Sequence, residues 1–304
     1  MQGLRLGTRG SPLALAQARK VASAIESAQR WPDGYVEIVP VTTTGDKVQD
    51  RPLAELGGKA LWTKELDKAL LAGELHFCVH SMKDVESVRP KGIHIASMRP
   101  RGDVRDRLIG AESIDQLKQG ATVGTSSARR KAQLLARRPD LNIVPIRGNV
   151  ETRLAKVQSG EIDATLLAAA GLKRLGISEG TAIPTEILLP APGQAAIGME
   201  CRTDDTMTQS VLSTVSNEIT FACVMAERAF IRALGATCAS PVAAFAVLED
   251  GDLRMRAQLF SEDGSEMIED RAVFDCGDEA IPAKLARAML AKAPESIRRL
   301  FAAA

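Results

Sequence analysis

The sequence predicts an α/β protein with two α/β domains and a small α+β domain at the C-terminus. Three observations support this fold class. Over the first two-thirds of the chain, short apolar runs alternate with segments of helical periodicity, which is typical of layered, largely parallel sheets. The last part instead contains three alternating segments separated by Asp-Gly pairs, which predicts an antiparallel meander. A length of 304 residues suits two or three domains.

The first α/β part begins almost at the N-terminus. Residues 4–7 form a predicted strand, and Ser11 and Pro12 supply an N-cap and a proline for a helix that ends near residue 27. Trp62, Leu66, Ala69 and Leu70 recur at helical spacing, so an amphipathic helix is expected over residues 59–72. Further strands are predicted at 35–41, 77–80 and 93–96.

A second α/β part begins near residue 98, and the breaker-rich run 188–193 predicts a crossing between domains. Asn217 should cap a long helix that ends at Gly235. The remaining predicted elements are strands at 122–124, 143–146 and 164–167, helices at 127–137 and 150–159, the meander strands 242–248, 253–260 and 266–274, and a helix at 279–291.

Composition excludes several classes of protein. Lys and Arg total 39 against 38 Asp and Glu, so no global charge attracts nucleic acid or membrane. No apolar run resembles a signal peptide or a membrane span, so a cytoplasmic protein is expected. The five cysteines lack Cys-x-x-Cys spacing, which argues against disulfides and structural zinc. We expect four of them to be small buried hydrophobes: Cys78, Cys201, Cys223 and Cys276.

His76 and His80 are four residues apart, a spacing that metal ligands sometimes show. No thiolate or carboxylate motif accompanies them, and imidazoles packed near a strand end are the simpler interpretation. No metal is therefore expected.

Hydroxyl and guanidinium groups follow several of the predicted strands. In α/β sheets, ligands bind beyond the carboxyl ends of the strands, where helix N-termini also point. Arginine binds carboxylate or phosphate through two parallel hydrogen bonds, so several such junctions at one edge predict a site for a small polyanion. The junctions are residues 8–11, 81–84, 125–130 and 147–149, with Arg153 one helical turn further on.

No nucleotide-binding loop is present in the sequence, since Gly57 and Gly58 precede Lys59 at the wrong spacing for a P-loop. Carboxylates are therefore the better match. Asp84 is unexpected in this setting. It either pairs with Lys83 or caps a turn, or it stabilises positive charge that develops in a reaction.

The motifs together resemble the porphobilinogen deaminase family from residue 4 to beyond Pro241. Each is weak alone, but their order and spacing agree over nearly the whole chain. They are residues 8–15, 44–46, 57–59, 80–85, 124–130, 147–150 and 170–176.

The resemblance implies three domains, of which the first two are similar to the lobes of periplasmic binding proteins. It places domain 1 at residues 1–96 and 194–214, domain 2 at 97–193, and domain 3 at 217–304. It also implies a dipyrromethane cofactor, made from the substrate and joined to Cys238 by a thioether. Family members usually have two glycines before this cysteine, where this chain has Ala236 and Thr237, so the path of the cofactor loop is open.

By the same resemblance, the enzyme condenses four porphobilinogen molecules with loss of ammonia and releases hydroxymethylbilane. Asp84 corresponds to the catalytic aspartate, which stabilises positive charge on the pyrroles and transfers protons. A solvated position stays open for Arg174. The residues expected to bind cofactor and substrate are Arg9, Ser11, Asp46, Ser81, Lys83, Thr125, Ser126, Ser127, Arg129, Arg130, Arg147, Arg153 and Arg174.

The main alternative is a non-catalytic binding or effector-sensing protein with the same two lobes. Such a protein explains the arginines but not Asp84 or Cys238. A phosphate-handling transferase lacks its loop motif. The family also implies a monomer whose partner is its small-molecule substrate. The near-zero net charge and the lack of a spanning apolar run predict that it binds neither nucleic acid nor membrane.

Overall fold

The computed structural model describes residues 3–43 and 62–301. Within them the chain forms two compact units. Unit 1 contains residues 3–43, 62–102 and 195–221, and unit 2 contains residues 103–194 and 222–301.

The helices and strands are numbered here in chain order. The strands are β1 (Leu4–Arg9), β2 (Val36–Val41), β3 (Phe77–Ser81), β4 (Ile93–Met98), β5 (Asp106–Ile109), β6 (Thr122–Gly124), β7 (Asn142–Val144), β8 (Ala164–Ala168), β9 (Thr181–Ala182), β10 (Ile197–Arg202), β11 (Val242–Glu249), β12 (Asp252–Phe260) and β13 (Met267–Phe274). The helices are α1 (Pro12–Gln29), α2 (Lys64–Leu71), α3 (Ala128–Arg137), α4 (Val150–Gln158), α5 (Ala169–Arg174), α6 (Thr206–Ser213), α7 (Glu218–Ala233), α8 (Ala280–Lys292) and α9 (Glu295–Arg298), with a 3₁₀ turn at Met82–Asp84.

The sheet of unit 1 has the strand order β2-β1-β3-β10-β4. β1 is parallel to β2 and β3, whereas β10 is antiparallel to its neighbours β3 and β4. The carboxyl ends of β1 and β3 therefore meet at one edge, and β10 starts beside them, with Ile197 opposite Ser81. Helix α1 packs against the sheet and buries Val21 and Ile25 against Leu6 and Phe77 in one apolar cluster.

The α/β sheet of unit 2 repeats this pattern with the order β7-β6-β8-β5-β9. β6 is parallel to β7 and β8, and β5 is antiparallel to β8 and β9. Asp106, the first residue of β5, lies opposite Ala168, the last residue of β8. The start of β5 is thus at the carboxyl edge of the parallel strands.

Unit 2 also contains the antiparallel sheet β11-β12-β13. Helices α7 and α8 contribute Phe230 and Met289 to its apolar core, which also includes Leu259. Helix α3 packs against β11 and β12. The turn before β13 approaches the same helix, because a Cβ atom on Gly264 would lie 2.2 Å from the Ala132 carbonyl oxygen.

This architecture confirms the predicted fold class, including the C-terminal meander and its final helix. The predicted caps are also present: the Ser11 hydroxyl accepts from Ala14 N at 3.3 Å, and the Asn217 side chain accepts from Thr220 N at 2.8 Å. The sequence predicted largely parallel sheets, but both α/β sheets are mixed. β5 and β10, which were not predicted from the sequence, are antiparallel to their neighbours. Among the described residues, none of the helices combines the length and the hydropathy that spanning a bilayer requires.

Candidate active site

Unit 1 contains an open pocket at the carboxyl edge of its sheet. Its polar and aromatic lining consists of one guanidinium group, one carboxylate, two hydroxyls, one amide, one imidazole and one indole ring. The lining residues are Arg9, Ser11, Leu13, Ala14, Gln17, Trp62, Val79, His80, Ser81 and Asp84.

The junction between β1 and α1 supplies the cationic side of this pocket. β1 ends at Arg9, and the Ser11 cap with Pro12 starts the helix immediately afterwards. The Arg9 guanidinium carbon lies 3.9 Å from the centroid of the Trp62 ring, within the range of a cation–π interaction. Trp62 therefore lines the pocket, whereas the sequence placed it inside a helix that in fact begins at Lys64.

The junction after β3 supplies the carboxylate. β3 ends at Ser81, and the 3₁₀ turn that follows carries Lys83, which is exposed, and Asp84, which is half-buried. The Ser81 hydroxyl is 2.9 Å from Nε2 and 3.2 Å from Oε1 of the buried Gln17. This contact ties the β3 junction to α1, so Asp84 and Arg9 line one preformed pocket.

A buried charge cluster adjoins the pocket through His80. His80 Nε2 lies 3.2 Å from Oε2 of Glu200, a fully buried carboxylate on β10. Arg89 donates to both Glu200 oxygens at 2.7 and 2.9 Å, and also to Asp67 and Glu86. Burial opposes ionisation of Glu200, but His80 and Arg89 outweigh it and lower its pKa to about 2.

In unit 2, hydroxyl residues follow β6. The Ser127 side chain caps α3 by accepting from Arg130 N at 3.4 Å, and its own N–H donates to the Thr125 hydroxyl at 3.2 Å. The Ser126 hydroxyl donates to the Ile146 carbonyl at 2.7 Å. The Ser126–Ile146 bond holds the β6 junction against the β7 junction.

Arg129 and Arg130 project from the first turn of α3 and are both buried, with 4% and 6% of their surface exposed. Asp106 accepts from Arg129 at 2.6 Å and from Arg130 at 2.7 and 3.2 Å. Burial opposes the charge on Asp106, but the two guanidinium groups hold the pKa of that carboxyl well below its usual range. Burial also lowers the pKa of Arg129. Asp106 was not among the site residues expected from the sequence.

Three further arginines of unit 2 were expected to bind cofactor or substrate. Arg147 follows β7, and Arg153 donates from Nε to the Gly148 carbonyl at 3.0 Å. Asn149 caps α4 by accepting from Thr152 N at 2.9 Å. Arg174, at the end of α5, is half-buried and not a fully solvated helix residue, and this burial lowers its pKa to about 10.

Cys238 is exposed on a turn between α7 and β11, also in unit 2. Ser240 N donates to the Thr237 carbonyl at 3.0 Å, and Ala239 N donates to the Thr237 hydroxyl at 3.2 Å. The positive φ needed to leave α7 is supplied by Gly235, at 62°. Ala236 and Thr237 have no positive φ, so glycine is not required at either position.

The expected site residues thus form two groups. The structure brings Arg9, Ser11, Ser81 and Asp84 together in unit 1, with Lys83 on the same turn. It places the junction residues 125–130, 147 and 153 along one edge of the unit 2 sheet. Asp46 lies outside the described residues.

Three of the four cysteines expected to be buried are buried. Cys276 is exposed, contrary to the expected burial, because it follows β13 in a turn rather than inside the apolar sheet. Cys78, Cys201 and Cys223 are buried as expected.

His76 Nδ1 accepts from Arg5 N at 2.9 Å. Among the described residues, no group of three or more acidic, His or Cys side chains could hold a metal ion.

Comparison with known proteins gives two family matches. Residues 4–210 match the model described as porphobilinogen deaminase, dipyrromethane cofactor binding domain, and residues 221–291 match the porphobilinogen deaminase C-terminal domain. A porphobilinogen deaminase from Sphingopyxis alaskensis is 52% identical over 98% of this chain and 96% of its own length. One from Paracoccus denitrificans is 46% identical over 96% and 95%, respectively.

A solved structure of a periplasmic substrate-binding protein from Coxiella burnetii aligns with a TM-score of 0.42 and 15% identity, over 72% of this chain and 94% of that one. A likeness this weak supports no conclusion. The sequence matches decide the family. The chain belongs to the porphobilinogen deaminase family of transferases.

Proposed function

We propose that this protein condenses four porphobilinogen molecules, one after another, onto a dipyrromethane cofactor bound to Cys238, and that water then releases the linear tetrapyrrole hydroxymethylbilane. The observation that carries the proposal is the presence of Arg9 and Asp84 in one pocket. Arg9 suits a pocket that binds an anion, whereas Asp84 suits a reaction that develops positive charge. The non-catalytic binding protein considered from the sequence has no comparable support.

The arginines of unit 2 fit a cofactor that bears carboxylates. Arg129 and Arg130 place two positive charges beside one negative charge, on Asp106. Arg129 Nε is buried and makes no hydrogen bond to any described residue. An unpaired buried donor next to a surplus positive charge favours an anionic acceptor. Arg147, Arg153 and Arg174 would bind further carboxylates, with the hydroxyls of Thr125, Ser126 and Ser127 beside them.

The exposed position of Cys238 suits covalent attachment. A turn that presents the thiol to solvent lets it reach a reactive carbon, whereas the thiols of Cys78 and Cys201 are buried, with the pKa of Cys201 raised by burial to about 12. When bound, the dipyrromethane supplies the free pyrrole α-carbon that attacks the substrate. Cys238 holds this group by a thioether.

Asp84 acts on the charge that the reaction develops. Loss of ammonia from the aminomethyl group leaves an electron-poor pyrrole, and its positive charge is shared by the ring N–H group. A half-buried carboxylate can accept a hydrogen bond from that N–H and stabilise the cation. Asp84 can also move a proton to the leaving amine and from the ring carbon that forms the new bond. Arg9 would bind a substrate carboxylate, with Ser11, Ser81 and Lys83 nearby and Asp46 beside the growing chain.

The three-domain division drawn from the sequence is part of this proposal, and the separate apolar clusters of the three sheets support it. We also propose that the protein is a cytoplasmic monomer that binds neither nucleic acid nor membrane. Cell fractionation tests the localisation, and light scattering of the purified protein tests the oligomeric state.

Intact mass tests the central proposal. The purified protein should carry an adduct equal to two porphobilinogen units, each less one ammonia, and Cys238→Ser should lose it. Cys276→Ser is the matched control, because Cys276 is the other exposed cysteine among the described residues. An unmodified protein that nevertheless makes hydroxymethylbilane at a normal rate contradicts the proposal, as does an adduct that survives in Cys238→Ser.

A further inference from the structure

Asp106 is a buried carboxylate in a place where anions are expected to bind. It begins β5 at the carboxyl edge of the unit 2 sheet, next to the end of β8. Here the Asp106 clamp denotes Asp106, Arg129 and Arg130. All three side chains are at least nine-tenths buried, with exposed fractions of 0%, 5% and 8%. A carboxylate at this point competes with an acidic ligand unless it serves another purpose.

The hydrogen bonds of the Asp106 clamp show what that purpose is. Each Asp106 oxygen accepts from an arginine, and each arginine donates another N–H to a main-chain carbonyl: Arg129 to Leu189 at 2.6 Å and Arg130 to Leu166 at 2.8 Å. The two guanidinium planes are therefore fixed at both ends. Fixed donors bind a ligand without first losing side-chain entropy.

The charge of the clamp is also defined. Two guanidinium groups and one carboxylate leave one positive charge in a buried place, and Arg129 Nε has no hydrogen-bond partner among the described residues. A buried unpaired charge is costly, and one carboxylate would compensate it. Gln194 Nε2 donates to Asp106 Oδ1 at 3.0 Å and to the Val104 carbonyl at 2.6 Å. The neighbour of the clamp on this side is therefore a neutral amide, which adds no charge.

We propose that Asp106 is a positioning residue: it orients Arg129 and Arg130 and limits their combined charge, so that the clamp binds one ligand carboxylate. This inference rests on the proposed function, since the ligand is a carboxylate of the pyrrole cofactor. Without Asp106 the two guanidinium groups repel each other and the site carries a double positive charge. The two guanidinium groups are then no longer held in a fixed orientation, and the double charge attracts simple anions.

The test follows cofactor assembly instead of turnover. The cofactor-free protein, produced in cells that make no porphobilinogen, is mixed with porphobilinogen, and the gain of the adduct is timed by intact mass. Sodium acetate is added as a competing carboxylate. Asp106→Asn should slow assembly by about tenfold or more and lower the acetate concentration for half-inhibition by about tenfold, the effect of one charge-assisted hydrogen bond.

Two further variants separate geometry, charge and stability. Asp106→Glu keeps the charge but lengthens the side chain, so assembly should slow while acetate sensitivity stays at the wild-type level. Asp115→Asn is the matched control. Asp115 pairs at 2.6 Å with Arg137, which lies on α3 like the two clamp arginines, but Asp115 is mostly exposed. It should change neither quantity. Thermal unfolding of each variant shows whether it is folded.

The results that overturn the inference are specific. Folded Asp106→Asn with wild-type assembly and acetate sensitivity contradicts it. If Asp106→Asn does not fold, wild-type assembly by Asp106→Glu contradicts it instead. A wild-type protein that gains no adduct overturns the proposed function as well, so the two failures can be told apart.

Discussion

Replacing Glu200 by glutamine should destabilise unit 1 by about 3 kcal/mol at neutral pH. The Glu200 side chain is fully buried, and glutamine keeps its size while removing its charge. Arg89 then loses a charged acceptor for two of its hydrogen bonds, and His80 loses its carboxylate neighbour. Arg89 still has Asp67 and Glu86, so the loss is at the lower end of the range for breaking a buried ion pair.

The lowered pKa of Glu200 gives a similar estimate of the lost folding free energy and predicts how this loss depends on pH. A carboxyl whose pKa falls from 4.5 to about 2 on folding stabilises the folded state by about 3 kcal/mol when it is charged. Because the folded pKa is the lower one, this stabilisation is complete above the unfolded pKa and is lost as pH falls through the folded pKa. The difference between wild type and Glu200→Gln should therefore shrink between about pH 5 and about pH 2.

Urea denaturation followed by tryptophan fluorescence measures this effect, because Trp31 and Trp62 both lie in unit 1. The matched control is Glu37→Gln: Glu37 pairs with Arg5 at 3.4 Å on the surface of unit 1, where such a pair is worth less than about 1 kcal/mol. Equal losses in the two variants, or a Glu200→Gln loss that does not change with pH, refute the reasoning.

Three other changes test the site and the fold. Asp84→Asn should keep the adduct at Cys238 but lower turnover by about a hundredfold or more, and near-normal rates in a steady-state assay would exclude a charge-stabilising carboxylate. Arg147→Leu should slow cofactor assembly by about tenfold, because a ligand carboxylate is left unpaired; intact mass checks this, and normal assembly contradicts it. Gly264→Ala should destabilise unit 2 by about 2 kcal/mol or more, since φ is 72° and its Cβ would lie 2.2 Å from the Ala132 carbonyl oxygen. Denaturation followed by circular dichroism measures that loss, and an unchanged midpoint rules out the close approach.

The sequence predicted the elements whose signals are local. The Ser11 cap, the Asn217 cap and the Asp-Gly turn at residue 250 each depend on neighbouring residues, and all three are present. The antiparallel strands β5 and β10 were missed for a common reason. Each contains a carboxylate, Asp106 or Glu200, that is buried only because arginines from other elements bind it. Local patterns contain no information about those partners.

The residues of the functional site also differ in whether a local sequence signal identifies them. Junction residues such as Arg9, Ser127 and Arg147 could be named because they directly follow predicted strands. Asp106 could not, since its importance depends on the folded position of α3. Trp62 was assigned to a helix face because its spacing fits one, although it lies ahead of α2 and contacts Arg9.

The strand order of unit 1 has a consequence for protein synthesis. β10 separates β3 from β4 in the sheet, yet it is translated only after residues 103–194. Until the ribosome has released residues 197–202, β4 lacks its only partner strand in the described sheet and one side of β3 is uncovered. Uncovered strand edges promote aggregation. Nascent chains that stall before Ile197 should therefore depend on chaperones more than chains that stall after Arg202.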